Sequence, residues 1–265
     1  MEADDVVIEK RKNPLCKVSK LDFGNMPNDG GFLSDYSKED KDLIINKYPQ
    51  AETLFRRFVG ATEFINNKER WCLWLVDISP IIISSIPPIL NAVQNVKKMR
   101  SESNRAGTRK LADTPTLFGE IRQPNSNYLI IPRHSSQNRK YIPIGYVSED
   151  IICGDANMLM PAATLYSFGI LTSNVHMAWI RTVCGRIKSD FRYSKEVVYN
   201  NFPWCDPDEK QKATIEKTAQ MILDARAKYP DCSLADLYDE TTMPPELRKA
   251  HQANDKAVMQ AYGFD

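Results

Sequence analysis

The sequence predicts an α+β protein: a mixed α/β domain over residues 1–204, then a small all-α C-terminal domain over residues 205–265. Three observations lead to this prediction. Short runs with strand composition are interspersed with helical spacing up to about residue 200. Residues 202–207, Phe-Pro-Trp-Cys-Asp-Pro, have the composition of a linker. Beyond them, apolar residues recur mostly at three- and four-residue spacing, as in helices.

The first half of the chain opens with a turn-rich stretch over residues 17–33. A serine followed by charged residues and then an apolar stripe predicts a helix start, and paired prolines are tolerated in a first helical turn. The elements predicted here are a helix capped by Ser37 with the stripe Leu43, Ile44 and Tyr48, a short helix over 51–58, a buried strand over 71–76 and a helix from Pro87 to about Ser103.

The second half alternates between stretches with strand composition and stretches with the three- and four-residue apolar spacing of helices, before it becomes wholly helical. The predicted strands cover residues 128–131, 141–147, 150–153, 158–160 and 193–199. The predicted helices cover residues 165–186 with a break at Thr172-Ser173, then 207–228, 234–238 and a last one from Pro244-Pro245 to before Gly263.

Charge is strongly segregated, although the net charge is only +1. Residues 97–140 hold ten basic and three acidic side chains, and residues 178–200 hold five basic and two acidic. Residues 205–265 hold 8 basic and 12 acidic side chains. A polyanion is therefore expected to bind the middle of the chain and not its tail.

Two basic stretches, residues 100–110 and 133–141, also carry short hydrogen-bonding side chains. Lysine, arginine and hydroxyl groups suit phosphate oxygens. Arginine can bridge O6 and N7 of guanine, and Gln or Asn can pair with N6 and N7 of adenine. A loop between strands 128–131 and 141–147 would present Gln137, Asn138 and Arg139 to a groove. The alternative interpretation is that both stretches are solvated surface loops.

The residues suggest no catalytic site. The turn around Gly24 and Gly31 lacks the Gly-Lys-Ser/Thr ending of a phosphate loop, so a structural turn is predicted. His176 has no identifiable nucleophile or carboxylate partner, which favours a core or interface histidine. Six isolated cysteines and three dispersed histidines predict no metal site and fit a reducing cytoplasm. No apolar run reaches membrane length.

Several long strings occur together and in order, and the longest, residues 131–145, is IPRHSSQNRKYIPIG. The others include LDFGNMPNDGG (21–31), RWCLWL (70–75), FGILTS (168–173), GRIKSD (185–190), YNNFPW (199–204), SLADLY (233–238) and MPPEL (243–247). With them the chain resembles the MmeI-like DNA methyltransferases of restriction–modification systems over nearly its whole length.

The resemblance implies the target-recognition and C-terminal helical parts of a longer adenine methyltransferase. Its partners would be double-stranded DNA and the methyltransferase domain of the parent protein. That domain would bind S-adenosylmethionine, with no cofactor in this chain. An adenine methyltransferase also needs an [Asp/Asn/Ser]-Pro-Pro-aromatic segment. The nearest string, Asn201-Phe202-Pro203-Trp204, has Phe in place of the first proline, so we interpret it as a packed border segment.

In the family, a Glu and an Arg two residues apart contact one base pair. The matching positions hold Gln137 and Arg139, and Gln in place of Glu leaves the base undefined. A second specificity position near residues 101–110 is assigned to Asn104 and Arg105. Phosphate contacts are expected at Lys98, Arg100, Lys110, Ser135, Ser136, Arg186, Lys188 and Arg192. The alternative is a protein-interaction module without DNA binding, whose acidic helices after residue 205 pack on a partner.

Overall fold

Residues 7–264 are described by a computed structural model, and within them three small β-sheets are surrounded by helices. The strands are β1 (Asp22–Phe23), β2 (Phe55–Val59), β3 (Trp71–Leu73), β4 (Tyr128–Pro132), β5 (His134–Ser135), β6 (Gly145–Val147), β7 (Ile152–Cys153), β8 (Asn157–Pro161), β9 (Gly185–Ile187) and β10 (Asp190–Arg192). The helices are α1 (Lys38–Lys47), α2 (Ala61–Asn66), α3 (Pro80–Ser84), α4 (Pro87–Ser101), α5 (Ala106–Lys110), α6 (Leu165–Leu171), α7 (Asn174–Val183), α8 (Glu209–Ala227), α9 (Leu234–Leu237) and α10 (Pro245–Ala261). No helix within these residues is both long and apolar enough to cross a membrane.

The central sheet has the strand order β1-β8-β4-β6, with antiparallel pairing throughout. All five residues of β4 are buried, as its unbroken apolar composition requires. Leu129 and Ile131 face a large core formed with the helices, whereas Tyr128 and Ile130 face a smaller cluster with Val59. The sheet is therefore covered on both faces.

The second sheet, in the order β3-β2-β7, packs with α4 around a separate core. The strand β2 pairs antiparallel with β3 and parallel with β7. The inner face of α4 repeats apolar residues at helical spacing, including Ile89, Val93 and Val96. The helix begins at Pro87, as predicted.

The C-terminal helices α8 and α10 pack on α6 and α7 and complete the large core. Ala219, Ile222 and Leu247 belong to the same cluster as residues of β4 and β8. A Cβ added at Gly169 of α6 would lie 2.7 Å from Cγ2 of Ile215, so only glycine permits this close approach of α6 to α8. The predicted fold class, a mixed domain followed by a helical region, is confirmed. The position of the boundary at residue 204 stays a prediction.

Several local predictions are confirmed by the caps. Ser37 and Asp40 form a reciprocal capping box at the start of α1. The predicted break in the helical stretch 165–186 lies between α6 and α7, where the Ser173 side chain accepts the N–H of His176 and caps α7.

Three predictions about elements are wrong. Residues 51–58 do not form an α-helix: a 3-10 helix (Pro49–Leu54) leads into β2, because residues 55–59 pair with β3 and β7. Residues 193–199 are not a strand, because the last five form a π-helical turn, Lys195–Tyr199. The Leu43 side chain, expected in the buried stripe of α1, is 71% exposed.

Candidate nucleic-acid interface

The third sheet, in the order β5-β10-β9, brings together the two basic segments that lie far apart in the sequence. Phe191 of β10 is paired with Ser135 of β5, and Asp190 is paired with Ile187 of β9. Both pairings are antiparallel, so the turn after β5 and the hairpin tip between β9 and β10 lie at the same end of this sheet. We call residues 136–139 the recognition turn.

The recognition turn is closed by its own backbone and tied to β10. The amide of Arg139 donates to the carbonyl of Ser136 at 3.2 Å, and the amide of Gln137 donates to Oδ1 of Asp190 at 3.1 Å. The side chains of Gln137 and Asn138 are exposed. Their amide groups therefore remain available for a ligand, while the backbone that carries them is held in place.

Arg139 lies half-buried at the end of this turn. Burial lowers the pKa of its guanidinium, while the nearby carboxylates of Asp190 and Asp239 act in the opposite direction. An arginine stays protonated under such shifts, so the group presents a partly desolvated positive charge. Partial desolvation strengthens any charge-assisted hydrogen bond that the guanidinium makes.

The hairpin tip consists of Lys188 and Ser189. Lys188 has φ +55°, the left-handed conformation that two-residue hairpins require and that favours Asn or Gly. The guanidinium of Arg186 donates through Nη1 to the carbonyl of Ser189 at 2.9 Å. Lys188 is exposed at this tip, at the same end of the sheet as the recognition turn.

The other expected cations of this sheet lie on opposite faces. Paired residues point to the same face, so Arg192 shares one face with His134, and Arg186 shares the other face with Phe191. The Arg186 guanidinium lies 4.1 Å from the centre of the Phe191 ring. Partial desolvation of the largely exposed His134 ring, with the positive charges of Arg133 and Arg192 nearby, lowers its pKa.

Arg100 does not fit the expected phosphate contact, and this prediction is wrong. Its side chain has no solvent exposure, and all five N–H donors reach backbone carbonyls at 2.8 to 3.1 Å. The acceptors are the carbonyl oxygens of Pro27, Asn28, Leu111, Thr114 and Leu117. The guanidinium joins α4 to two irregular segments and has no donor left for DNA.

The phosphate contact expected at Ser135 is also wrong. It is 4% exposed and its Oγ is fully buried, so the hydroxyl cannot reach a phosphate in this conformation. The cause is the alternation along β5: His134 faces solvent and Ser135 faces inward. Ser136 is half-buried, and its Oγ accepts the amide of Asn138 at 3.3 Å.

The remaining candidates of the first basic stretch lie around the corner between α4 and α5. Residues 106–110 form a short helix and not a loop. Lys98, Asn104, Arg105 and Lys110 are exposed there. Residues 25–28 link α4 to residues 154–155, since Arg100 donates to the carbonyl of Asn28 and Asn25 is bridged to Gly154. The Arg133 side chain, next to β5, donates to the carbonyl of Asp155 at 2.8 Å.

A cationic cluster that sequence analysis missed surrounds the ring of Phe23. The charged groups of Arg122, Arg133 and Lys195 lie 5.9, 4.8 and 4.8 Å from its centre. Lys195 also forms a 2.7 Å ion pair with Asp22. These residues come from four separate segments, so only tertiary structure brings them together.

The strings considered for catalysis have structural roles. Asp29, buried, accepts the amides of Gly31, Leu33 and Ser34, so its own turn uses the N–H groups that a phosphate would need. Phe202 is 1% exposed and packs against His176 and Trp204, so this segment is packed, as predicted.

His176 is buried, and burial lowers its pKa to about 4. Its Nδ1 lies 2.7 Å from the carbonyl of Leu171, so that nitrogen must carry the proton. Nε2 then accepts the hydroxyl of Tyr193 at 3.2 Å. Both ring nitrogens are occupied, and the interpretation as a core histidine is confirmed.

Comparison with known proteins decides the family. A family model described as the target recognition domain of MmeI matches residues 2–206, and one described as the C-terminal domain of MmeI matches residues 207–265. The chain belongs to the MmeI family. The resemblance inferred from the sequence is thereby confirmed.

Two similar proteins show how much of a longer chain this sequence matches. It is 39% identical over 261 residues to "DNA methyltransferase A" of Bacillus subtilis (strain 168), covering 98% of this chain and 30% of that protein. It also matches the structure of the type IIL restriction-modification enzyme MmeI in complex with DNA, with a TM-score of 0.96 and 46% identity, over 98% of this chain and 35% of that one. The chain therefore spans about a third of the length of these relatives.

Proposed function

We propose that this chain recognises a double-stranded DNA sequence, as the specificity part of a larger S-adenosylmethionine-dependent adenine methyltransferase of a restriction–modification system. The observation that supports it most is the third sheet, which carries the recognition turn and the basic hairpin tip at one end. The similarity to an MmeI structure determined with DNA agrees with this proposal.

Within this proposal, Gln137 and Arg139 contact base edges, with Asn138 beside them. Asn104 and Arg105 serve a second base position. The residues that contact phosphates are Lys98, Lys110, Ser136, Arg186, Lys188 and Arg192. Phosphate contacts give affinity that falls with salt, whereas base contacts give sequence preference.

The chemistry of methyl transfer is assigned to a part of the enzyme outside this chain. The glycine turn is closed on Asp29 and the Asn201 segment is packed, so neither fits S-adenosylmethionine or a flipped base. The methyltransferase domain would form the opposite wall of the DNA cleft. A calorimetric titration of the 265-residue chain with S-adenosylmethionine is expected to give no binding heat.

The decisive experiment replaces Arg139 by Ala in the full-length enzyme and determines the methylated motif by sequencing. Loss of a bidentate arginine contact should cost about 1–3 kcal/mol and relax one position of the site. Arg248→Ala is the matched control, because Arg248 lies on α10 and pairs with Glu240. An unchanged motif in the Arg139 variant would refute the base contact.

A second candidate function is a protein-interaction module without DNA binding. It is favoured by an apolar groove of about 480 Å³, lined by Val175, Trp179, Phe202, Met259, Tyr262 and Phe264 among others. A gel shift at two salt concentrations separates the two functions. DNA binding that weakens with salt supports the first, and no binding or salt-independent binding supports the second.

A further inference from the structure

The segment directly after the recognition turn is held by the C-terminal helices. Tyr141, two residues after Arg139, is 1% exposed. Its ring stacks on the imidazole of His251, with the ring centres 4.1 Å apart and the planes inclined by 19°. Its hydroxyl donates to Oδ2 of Asp255 at 2.6 Å. His251 and Asp255 are four residues apart, so both lie on the same face of α10.

Asp255 also joins Tyr141 and α10 to the helix α7. Its other oxygen, Oδ1, accepts the amide of Asn174 at 2.8 Å, in the first turn of α7. A carboxylate at that position also interacts favourably with the helix dipole. One buried side chain therefore fixes α10, α7 and Tyr141 relative to one another.

A second set of contacts holds the far end of the same segment. Arg226 of α8 donates through Nη1 to the carbonyl of Ile144 at 2.6 Å and through Nε to the hydroxyl of Tyr238 at 2.8 Å. Because arginine can only donate, the single proton of the Tyr238 hydroxyl goes to Nε2 of His251, 2.8 Å away. Residues 141–144 are thus held at both ends by α8 and α10.

A single hydrogen bond sets the tautomer of the neutral His251 ring. Nε2 accepts from Tyr238, so the neutral ring carries its proton on Nδ1. Burial, together with the charges of Arg226 and Lys140, lowers the pKa of this imidazole well below its usual value. A neutral ring can stack on Tyr141 without placing an uncompensated charge in the core.

We propose that the C-terminal helices position the recognition turn, and that Tyr141 and Asp255 are positioning residues for base preference. This inference rests on the proposed function of the recognition turn. Neither side chain is exposed to contact DNA. Consecutive Cα atoms are 3.8 Å apart, so Arg139 lies within about 8 Å of the anchored residue, and a shift of Tyr141 displaces the guanidinium.

The turn is thereby held from two sides. On the sheet side, the Asp190 carboxylate holds the amide of Gln137. On the helical side, Arg181 of α7 donates to the carbonyl of Lys140 at 3.0 Å, and Tyr141 follows directly. A base contact with well-defined hydrogen-bond geometry needs this kind of support, because loosely held donors discriminate poorly.

The test compares Tyr141→Phe and Asp255→Asn with Tyr229→Phe in the full-length enzyme. The Tyr141→Phe change keeps the ring that stacks on His251 and removes only the hydroxyl. Tyr229 is the matched control, because its hydroxyl also donates to a carboxylate of α10, that of Glu246 in the first turn of the helix. The probe is a library of DNA duplexes randomised over the recognised site, and methylated members are identified by sequencing.

Tyr141→Phe is expected to reduce discrimination at the base pair contacted by the recognition turn by roughly three- to tenfold, as loss of one buried hydrogen bond suggests. Asp255→Asn, which can still accept from Asn174, should reduce discrimination at the same base pair. Preferences at the other positions and the salt dependence of binding should not change, since no phosphate contact is removed. Tyr229→Phe should leave every preference as it was.

Two outcomes would overturn the proposal. One is that Tyr141→Phe and Asp255→Asn keep the same preferences as Tyr229→Phe. The other is an equal loss at all positions together with a lower melting temperature, which is the mark of a merely structural role. Arg139→Ala, tested with the same library, shows whether the recognition turn contacts bases at all. If Arg139→Ala changes the base preferences and Tyr141→Phe does not, the proposed function stands and only the positioning role is wrong.

Discussion

The carboxylate of Asp190 accepts the backbone amide of Gln137 at 3.1 Å, and so joins the β9–β10 hairpin to the recognition turn. One acidic residue lies among the cations of this sheet, and this hydrogen bond is its structural role. Its negative charge opposes DNA binding, while its hydrogen bond orders the turn that would contact bases. These two effects should be separable.

Replacement of Asp190 by Ala is expected to weaken sequence preference and to strengthen binding to non-cognate DNA. Loss of the hydrogen bond should cost about 1 kcal/mol of cognate discrimination, and loss of a negative charge favours every duplex alike. Fluorescence anisotropy with cognate and non-cognate duplexes measures both effects. Asp231→Ala removes an exposed carboxylate outside the third sheet and is the control. Equal losses on both duplexes would contradict the ordering role.

Replacement of Arg100 by Lys should destabilise the fold without removing a phosphate contact. A lysine cannot reach the five carbonyls that the guanidinium holds. Buried acceptors left without donors should lower the free energy of unfolding by about 3 kcal/mol or more. Urea unfolding measures the loss, with Arg105→Lys as the exposed control. A stable Arg100→Lys protein with a reduced salt dependence of DNA binding would restore the phosphate role.

Stability should fall in acid because His176 is buried in its neutral form. Burial lowers its folded pKa to about 4, whereas the unfolded chain has about 6.5. Above pH 6.5 both states are neutral and no stability is lost. Between pH 6.5 and 4 only the unfolded state binds the proton, so the free energy of unfolding falls by about 3 kcal/mol from this residue.

Urea unfolding between pH 4.5 and 7.5 measures this slope, and His176→Gln should flatten it. The lowered pKa of buried His251 adds a loss of the same sign. His134→Gln is the control at a solvent-exposed histidine and should leave most of the slope. If the fall of stability with pH were equally steep in the unmodified protein, His176→Gln and His134→Gln, titration of His176 would not be its cause.

Replacement of Lys188 by Asn should stabilise the protein and weaken DNA binding. Asparagine tolerates the left-handed conformation at φ +55°, so the free energy of unfolding should rise by about 1 kcal/mol. Loss of the proposed phosphate contact should lower affinity for all sequences and reduce the salt slope by about 1. Lys12→Asn, on an exposed irregular segment, is the control. An unchanged salt slope would mean that Lys188 does not contact phosphate.

Local signals account for the parts of the fold that the sequence predicted well. Ser37, Pro87 and Ser173 mark helix starts because a cap or a proline acts within a single turn. Residues 55–58 were wrongly predicted as helix, because the strand they form depends on partners at residues 71–73 and 152–153. No local pattern reports such distant pairing.

The same distinction applies to the candidate site. The polar exposed side chains of Gln137 and Asn138 could be predicted, since a turn rich in such residues faces solvent. The burial of Arg100 could not, because its carbonyl partners belong to two other segments, 27–28 and 111–117. Positive charge in a sequence therefore overestimates the charge available to a ligand.

The large core, shared by β4, β8 and the helices α8 and α10, has a consequence for how such proteins can be recombined. The two matched family models meet between residues 206 and 207, inside a unit whose two parts bury one another. In a chimera joined there, C-terminal helices from one relative would have to pack against α6, β4 and residues 141–144 from another. A recognition module exchanged between relatives should therefore be transplanted together with its own C-terminal helices.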